Sequence, residues 1–328
     1  MSRSLIFLIS LPRSGSTLLQ RMLSVHPSIY STPEPWLLFK YALCLSERLF
    51  CCCNFSFKVV CDAQEEMFNF LKKEKYYSRL SEHLLTIYMD LVESNKPSAS
   101  YFLDKTPRYY LLLNFIETLF PQAKIVFLVR NPLASLISSF STWQGGKVYV
   151  GANWIDYYLG PTLMYDYYKK NKNKLYLVKY ERLLEKPEDE LQKLCIYLGI
   201  PFVEDMISGF SKEKVYLKAK VGDPTGVKKF KTLNLESRDK WLSFVDSRTK
   251  KWFLIKYLNF LGKEMIEELF LEDFDRLKLL LENLSIGLNP IYEVRDIGYL
   301  LLGKLYRKLS VLKCLRLSRK LGERVVLW

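Results

Sequence analysis

The stretch Leu5-Ile-Phe-Leu-Ile-Ser-Leu-Pro12-Arg13-Ser14-Gly15-Ser16-Thr17-Leu18-Leu19 decides how this chain is read. Its first half is apolar with β-branched residues and reads as a buried strand. Pro12 ends the strand, and a small, polar, glycine-containing turn follows. From Thr17 to Val25 the apolar residues fall at helical spacing, so a helix starts there. Strand, small-residue turn and helix N-terminus together make an anion site. The first N–H groups of a helix have no partner inside it, and its dipole favours negative charge at that end. The turn is not a Walker A loop, which needs Gly, four spacers and Gly-Lys-Ser/Thr. Here the cation, Arg13, stands before the glycine.

The 328 residues are enough for one large domain or two small ones. With 49% hydrophobic and 26% charged residues the chain is globular rather than disordered. A net charge of +14 suits an anionic ligand, a nucleic acid or a membrane surface and does not choose among them. No apolar run reaches the length of a transmembrane helix. Arg3 and the short apolar run after it imitate a signal peptide. The run flows straight into Pro12-Arg13 without a small-residue cleavage site, so it reads as the first core strand. The cysteines number seven, and Cys51, Cys52 and Cys53 are adjacent, without CxxC spacing. With only His26 and His83 as histidines, no zinc or other metal site is expected. Reduced thiols and a cytoplasmic location are the expectation.

Further strands are expected at Tyr101–Asp104, Lys124–Val129 and Leu175–Lys179. The second is a continuous apolar run, as for a strand covered on both faces. Helices are expected at Gln64–Ser94, Tyr109–Phe120, Leu133–Ser141 and Pro187–Leu198, the last closed by Gly199. Ser28–Trp36, with Pro33 and Pro35 around Glu34, reads as an ordered loop. Seven lysines crowd Lys212–Lys231, which reads as a mobile basic loop. More helix is expected over 235–261 and 264–284. Strands alternating with helices predict an α/β fold, a parallel sheet with flanking helices and right-handed crossovers.

In such sheets ligands bind at the carboxyl ends of the strands. Arg13, Lys105 and Arg130 each follow a strand by one to three residues, making a candidate polyanion site. These places resemble the sulfotransferases that use 3′-phosphoadenosine 5′-phosphosulfate (PAPS). Pro12-Arg13-Ser14-Gly15-Ser16-Thr17 is similar to their 5′-phosphosulfate loop. Arg130, with Ser138 eight residues on, is similar to the pair that holds the cofactor 3′-phosphate; the Arg fork suits phosphate oxygens. Lys105-Thr106-Pro107 stands where cytosolic small-molecule sulfotransferases carry Lys-Thr-His, and Pro107 cannot act as their base. In that respect the chain is closer to tyrosylprotein-sulfotransferase-like and bacterial-type members. Tyrosylprotein enzymes use a Glu 21 residues after the loop Arg, the offset of Glu34 from Arg13. Val178-Lys179-Tyr180-Glu181 resembles a structural signature of the family, and Lys231, ten residues before Trp241, resembles a late cofactor contact. The likeness runs from about Leu5 to Trp241.

The resemblance implies a P-loop-like sulfotransferase fold over 1–285, with a basic helical extension over 286–328. It implies PAPS as donor, its product PAP, no metal, no nucleic-acid partner and a hydroxyl-bearing acceptor of unknown class. Glu34 would be the base, Arg13 and Lys105 would neutralise developing charge, and Ser14, Gly15, Ser16, Thr17, Arg130, Ser138 and Lys231 would hold the cofactor. Two other readings fit the basic chain: a non-enzymatic binder of sulfated glycan or nucleic acid, and a P-loop kinase. Lys304–Arg324 holds eight basic residues and one acidic residue, Glu323, with leucines roughly on one helical face. Such a helix can lie on an anionic membrane as a peripheral contact, or pack on the body with its charges solvated.

Overall fold

The computed structural model describes residues 4–44, 63, 66–68, 70–151, 153–210 and 240–321. Strand β1 (Ser4–Ser10) is the centre of a five-stranded sheet. Its neighbours are β3 (Tyr101–Asp104) on one side and β4 (Lys124–Val129) on the other. The edges are β2 (Ile29–Ser31), beside β3, and β5 (Leu175–Lys179), beside β4. All four pairings are parallel, giving the order β2-β3-β1-β4-β5. Every strand therefore ends at the same edge of the sheet.

The period-two alternation of β1 divides the core. Leu5, Phe7 and Ile9 enter one apolar cluster and Ile6 and Leu8 the other, and none is more than 2% exposed. Helix α1 (Ser16–Val25) covers the second cluster with Leu18, Leu19, Met22 and Leu23. On the first face lie α2 (Leu37–Cys44), α3 (Lys73–Asn95), α4 (Leu113–Leu119), α5 (Pro132–Trp143) and α6 (Gly160–Asn171). After β5 come α7 (Tyr180–Glu185), α8 (Pro187–Leu198) and α9 (Asp205–Ser208), which complete the second face. The layers are helix, sheet, helix, with α10 (Arg248–Glu268) and α11 (Phe274–Asn283) enlarging the first face. The parallel α/β architecture read from the sequence is the one observed.

Differences are local. Ile29–Ser31, expected within a loop, pairs with β3 as a short edge strand. The helix expected over Tyr109–Phe120 opens as a 3-10 turn, Tyr109–Leu112, before α4. Arg108 precedes it at φ 68, and the Tyr109 and Tyr110 hydroxyls are held by Asp104 and Asp156, which sets the tighter turn. The helix expected from Gln64 is helical at 66–68 and 70, breaks at Leu71 and Lys72, and resumes as α3 from Lys73. The lysine-rich Lys212–Lys231 stretch and the Cys51–Cys53 run lie outside the described residues.

After α11, residues 284–289 lead into α12 (Pro290–Leu321). One side of its first turns docks on the body. Glu293 accepts hydrogen bonds from the Arg248 and Thr249 N–H groups at the start of α10. Asp296, fully buried, accepts from Ser247 Oγ at 2.6 Å and from Arg295. Gly303 faces Gly151 so closely that a Cβ there would come 3.2 Å from the Gly151 nitrogen.

Candidate active site

The turn after β1 is built by two left-handed residues. Arg13 has φ 67 and Gly15, the N-cap of α1, has φ 93. A Cβ on Gly15 would lie 2.3 Å from Cε2 of Tyr180, so a glycine is required there on both counts. The first helical bonds are made by Leu18 and Leu19 N–H to the Gly15 carbonyl. The N–H groups before them are those that a helix terminus offers to an anion. Two cations stand around this terminus. Arg130, directly after β4, donates from Nη1 to the Arg13 carbonyl at 3.0 Å and lies over the Tyr180 ring at 4.7 Å. Arg13 donates from Nε to Ser138 Oγ of α5 at 3.4 Å, with Trp143 6.0 Å from its guanidinium. The groups expected to serve the two phosphate ends are thus in contact with one another.

Burial pulls the Arg130 guanidinium below its usual range, opposed by Tyr180 and Glu181. It remains a cation, but a poorly hydrated one, which favours an anionic partner. The backbone beside it is fixed from two directions. Asn131 caps α5 by accepting from Leu133 and Ala134 N–H, and its own N–H donates to Glu181 Oε1 at 3.0 Å.

Lys105 follows β3 on the adjacent strand end. Its Nζ lies 2.7 Å from Glu34 Oε1, and the two side chains are 5% and 9% exposed. Sequence reasoning singled out these two residues 71 positions apart, and the fold brings them into one ion pair. Their surroundings explain the placement. Asp104, the last residue of β3, is buried and accepts hydrogen bonds from Tyr88 (2.7 Å), Tyr109 (3.1 Å) and Thr106 (2.7 Å). Thr106 Oγ1 in turn accepts the Trp36 N–H at 3.3 Å, and the Tyr109 hydroxyl accepts the Leu38 N–H at 3.2 Å. The loop that carries Glu34 is therefore tied to the turn that carries Lys105. Its other end is held by Gln20 of α1, which donates to Ser31 Oγ and the Thr32 carbonyl. Burial pushes the Asp104 carboxyl up to about 6 against its hydrogen bonds.

Three cations, from three neighbouring strands, and one helix N-terminus thus share the carboxyl edge of the sheet. Ser14 is buried in the turn, Ser16 and Thr17 open α1, and Lys231 lies outside the described residues. Sequence reasoning missed the Asp104 cluster, Tyr180 as the support of both Gly15 and Arg130, and the pair Arg108–Asp156. That pair joins at 3.0 Å, and Asp156 also accepts from Tyr110. A usable signal existed for Tyr180: it follows β5 directly, as Arg130 follows β4.

The family model described as "Sulfotransferase family" matches residues 5–205. Nodulation protein NoeE of Sinorhizobium fredii is 26% identical over 268 residues, covering 72% of this chain and 59% of that protein. A protein-tyrosine sulfotransferase of Drosophila melanogaster is 22% identical over 267 residues, covering 73% and 47%. The chain thus spans less than two thirds of these relatives' own length. Among solved structures, the sulfotransferase domain of the Synechococcus PCC 7002 olefin synthase is similar, with a TM-score of 0.50 and 26% identity. That match covers 74% of this chain and 89% of the domain.

Proposed function

Because this chain belongs to the sulfotransferase family, we propose that it transfers a sulfuryl group from PAPS to a hydroxyl acceptor, with Glu34 as general base. The observation that carries the reading is the buried Lys105–Glu34 pair, 2.7 Å long, set beside Arg13 and Arg130 at one sheet edge. The donor set fits a nucleotide with phosphate groups at two ends: three cations, a serine hydroxyl and a glycine-built helix terminus. PAPS supplies the activated sulfuryl group; every other role falls to this chain. The Arg13–Thr17 turn binds the 5′ end, Arg130 and Ser138 hold the 3′-phosphate, and Lys231 adds a further cofactor contact. Lys105 neutralises negative charge as it develops, the kind of placement that supplies the largest part of many rate enhancements. Glu34 takes the acceptor proton. The ion pair orders these roles: Glu34 is released to act only when Lys105 moves to a stronger negative charge.

The core of this activity is assigned to residues 1–285, with 286–328 as an extension. Among the described residues no helix is long and apolar enough to cross a membrane. Cys195 is a buried free thiol, in keeping with a reducing compartment such as the cytoplasm. The acceptor is assigned only as far as a hydroxyl.

The test is PAP release from PAPS across a panel of sugar, phenol and lipid hydroxyls, with calorimetric titration of PAP against AMP. Glu34→Gln is expected to bind PAP as the parent does and to turn over about 100-fold or more slowly. Turnover at the parent rate would refute the role of Glu34. Absence of any preference for PAP over AMP, in the parent, would remove the sulfotransferase reading.

A further inference from the structure

We propose that the outward side of α12 between Ile291 and Leu309 seats the protein on an anionic lipid bilayer surface. The docked side of this helix is accounted for by Glu293, Asp296 and Gly303. On the opposite side Ile291, Val294, Leu301, Leu305 and Leu309 recur at three-, four- and seven-residue steps, all exposed, from 52% for Leu305 to 76% for Ile291. Ile297 and Leu302 widen the stripe at its flanks and are also exposed. Single exposed apolar side chains are ordinary on a protein surface. A continuous apolar stripe about 27 Å long, at 1.5 Å per residue, marks an interaction face.

The charges identify the occupant. Between Ile297 and Leu309 the helix carries three exposed basic residues, Lys304, Arg307 and Lys308, and no acidic one. Lys304 and Lys308 are exposed along the edge of the stripe. A second copy packed stripe to stripe would offer these lysines only Glu293 and Asp296 from its own α12, and both are already hydrogen-bonded to the body. An anionic headgroup layer satisfies both features at once: acyl boundary for the leucines, phosphate and carboxylate for the lysines. Such a helix lies in the interface plane rather than through it. The bilayer seat also adjoins the active site through one connection. The 144–151 loop, against which Tyr299 and Gly303 pack, leads directly from α5, the helix of Ser138. The proposal does not depend on the reaction assigned above.

The test is co-sedimentation of the full chain with vesicles of phosphatidylcholine alone or mixed with phosphatidylserine. Binding is expected only with phosphatidylserine present, and is expected to fall as salt rises. Leu301→Glu with Leu305→Glu is expected to weaken partitioning about 100-fold, and Lys304→Glu with Lys308→Glu about tenfold or more. Far-ultraviolet circular dichroism and PAP titration of these surface variants should match the parent. No sedimentation with either vesicle, equal sedimentation with both, or parent-like binding of the leucine variant would each overturn the proposal. So would a concentration-dependent dimer in analytical ultracentrifugation that Leu301→Glu dissociates, which would give the stripe to a second copy.

Discussion

Asp104 is the residue whose perturbation tests most directly how the site is built. It is 1% exposed, and burial raises its carboxyl pKa from the ordinary 3.8 to about 6. A raised folded value means that the folded chain keeps a proton which the unfolded chain gives up. The associated stability is fully present below about 3.8 and is lost as pH rises through about 6. At about 1.4 kcal/mol per pH unit the window is worth about 3 kcal/mol. Asp104→Asn keeps the shape and removes the titration. The assay is urea unfolding of parent and variant from pH 3 to 8, read as the difference between them, so that groups titrating in both chains cancel. The difference should move by about 3 kcal/mol in favour of the variant as pH rises. The variant should also loosen the Glu34 loop, because an amide cannot accept from Thr106, Tyr88 and Tyr109 together as the carboxylate does. A difference that stays flat to within about 1 kcal/mol across the range would refute the argument that burial controls this carboxyl.

Lys105→Met removes one partner of a pair whose side chains are less than 10% exposed. It should destabilise the fold by about 3 kcal/mol in urea melts, and adding Glu34→Gln should restore most of the loss, since a buried pair is harmful mainly when halved. Gly15→Ala forces a left-handed alanine against the Tyr180 ring. It should cost at least about 2 kcal/mol and weaken PAP binding in calorimetry, because the same ring supports Arg130. Arg130→Ala should abolish the preference for PAP over AMP while leaving the thermal midpoint within a few degrees of the parent.

Much of this architecture was legible because the strands are covered on both faces. Leu5–Ile9 and Ile125–Val129 must be apolar throughout, and a run of that kind is hard to mistake. The cations were legible because parallel pairing forces every strand exit to one edge. Strand β2 was not: three residues long, at the sheet edge and beside two prolines, it has the composition of a loop and owes its form to β3. Asp104 was hidden for another reason. A carboxylate ending an apolar strand reads as exposed, and its partner Tyr88 lies on a helix whose turns alone do not reveal which residue it faces. Arg108 and Asp156 stand 48 positions apart, with no spacing rule to connect them. Glu34 was located only by its offset from Arg13. Its ion pair with Lys105 depends on Gln20 of α1 and on Thr106 and Tyr109 after β3, tethers from two separate segments.

The central place of β1 has a consequence for how the molecule comes into being. The strand is made about 90 to 120 residues before the segments that set its register, Tyr101–Asp104 and Lys124–Leu128. At ribosomal rates of about 5–20 residues per second, the nascent chain carries Leu5–Ile9 without its partners for roughly ten seconds. For that interval the future central strand is a bare β-forming peptide, the kind that seeks any free edge. Soluble yield in the cell should therefore follow elongation speed and chaperone supply between Leu5 and Val129 more closely than it follows the equilibrium stability of the finished fold.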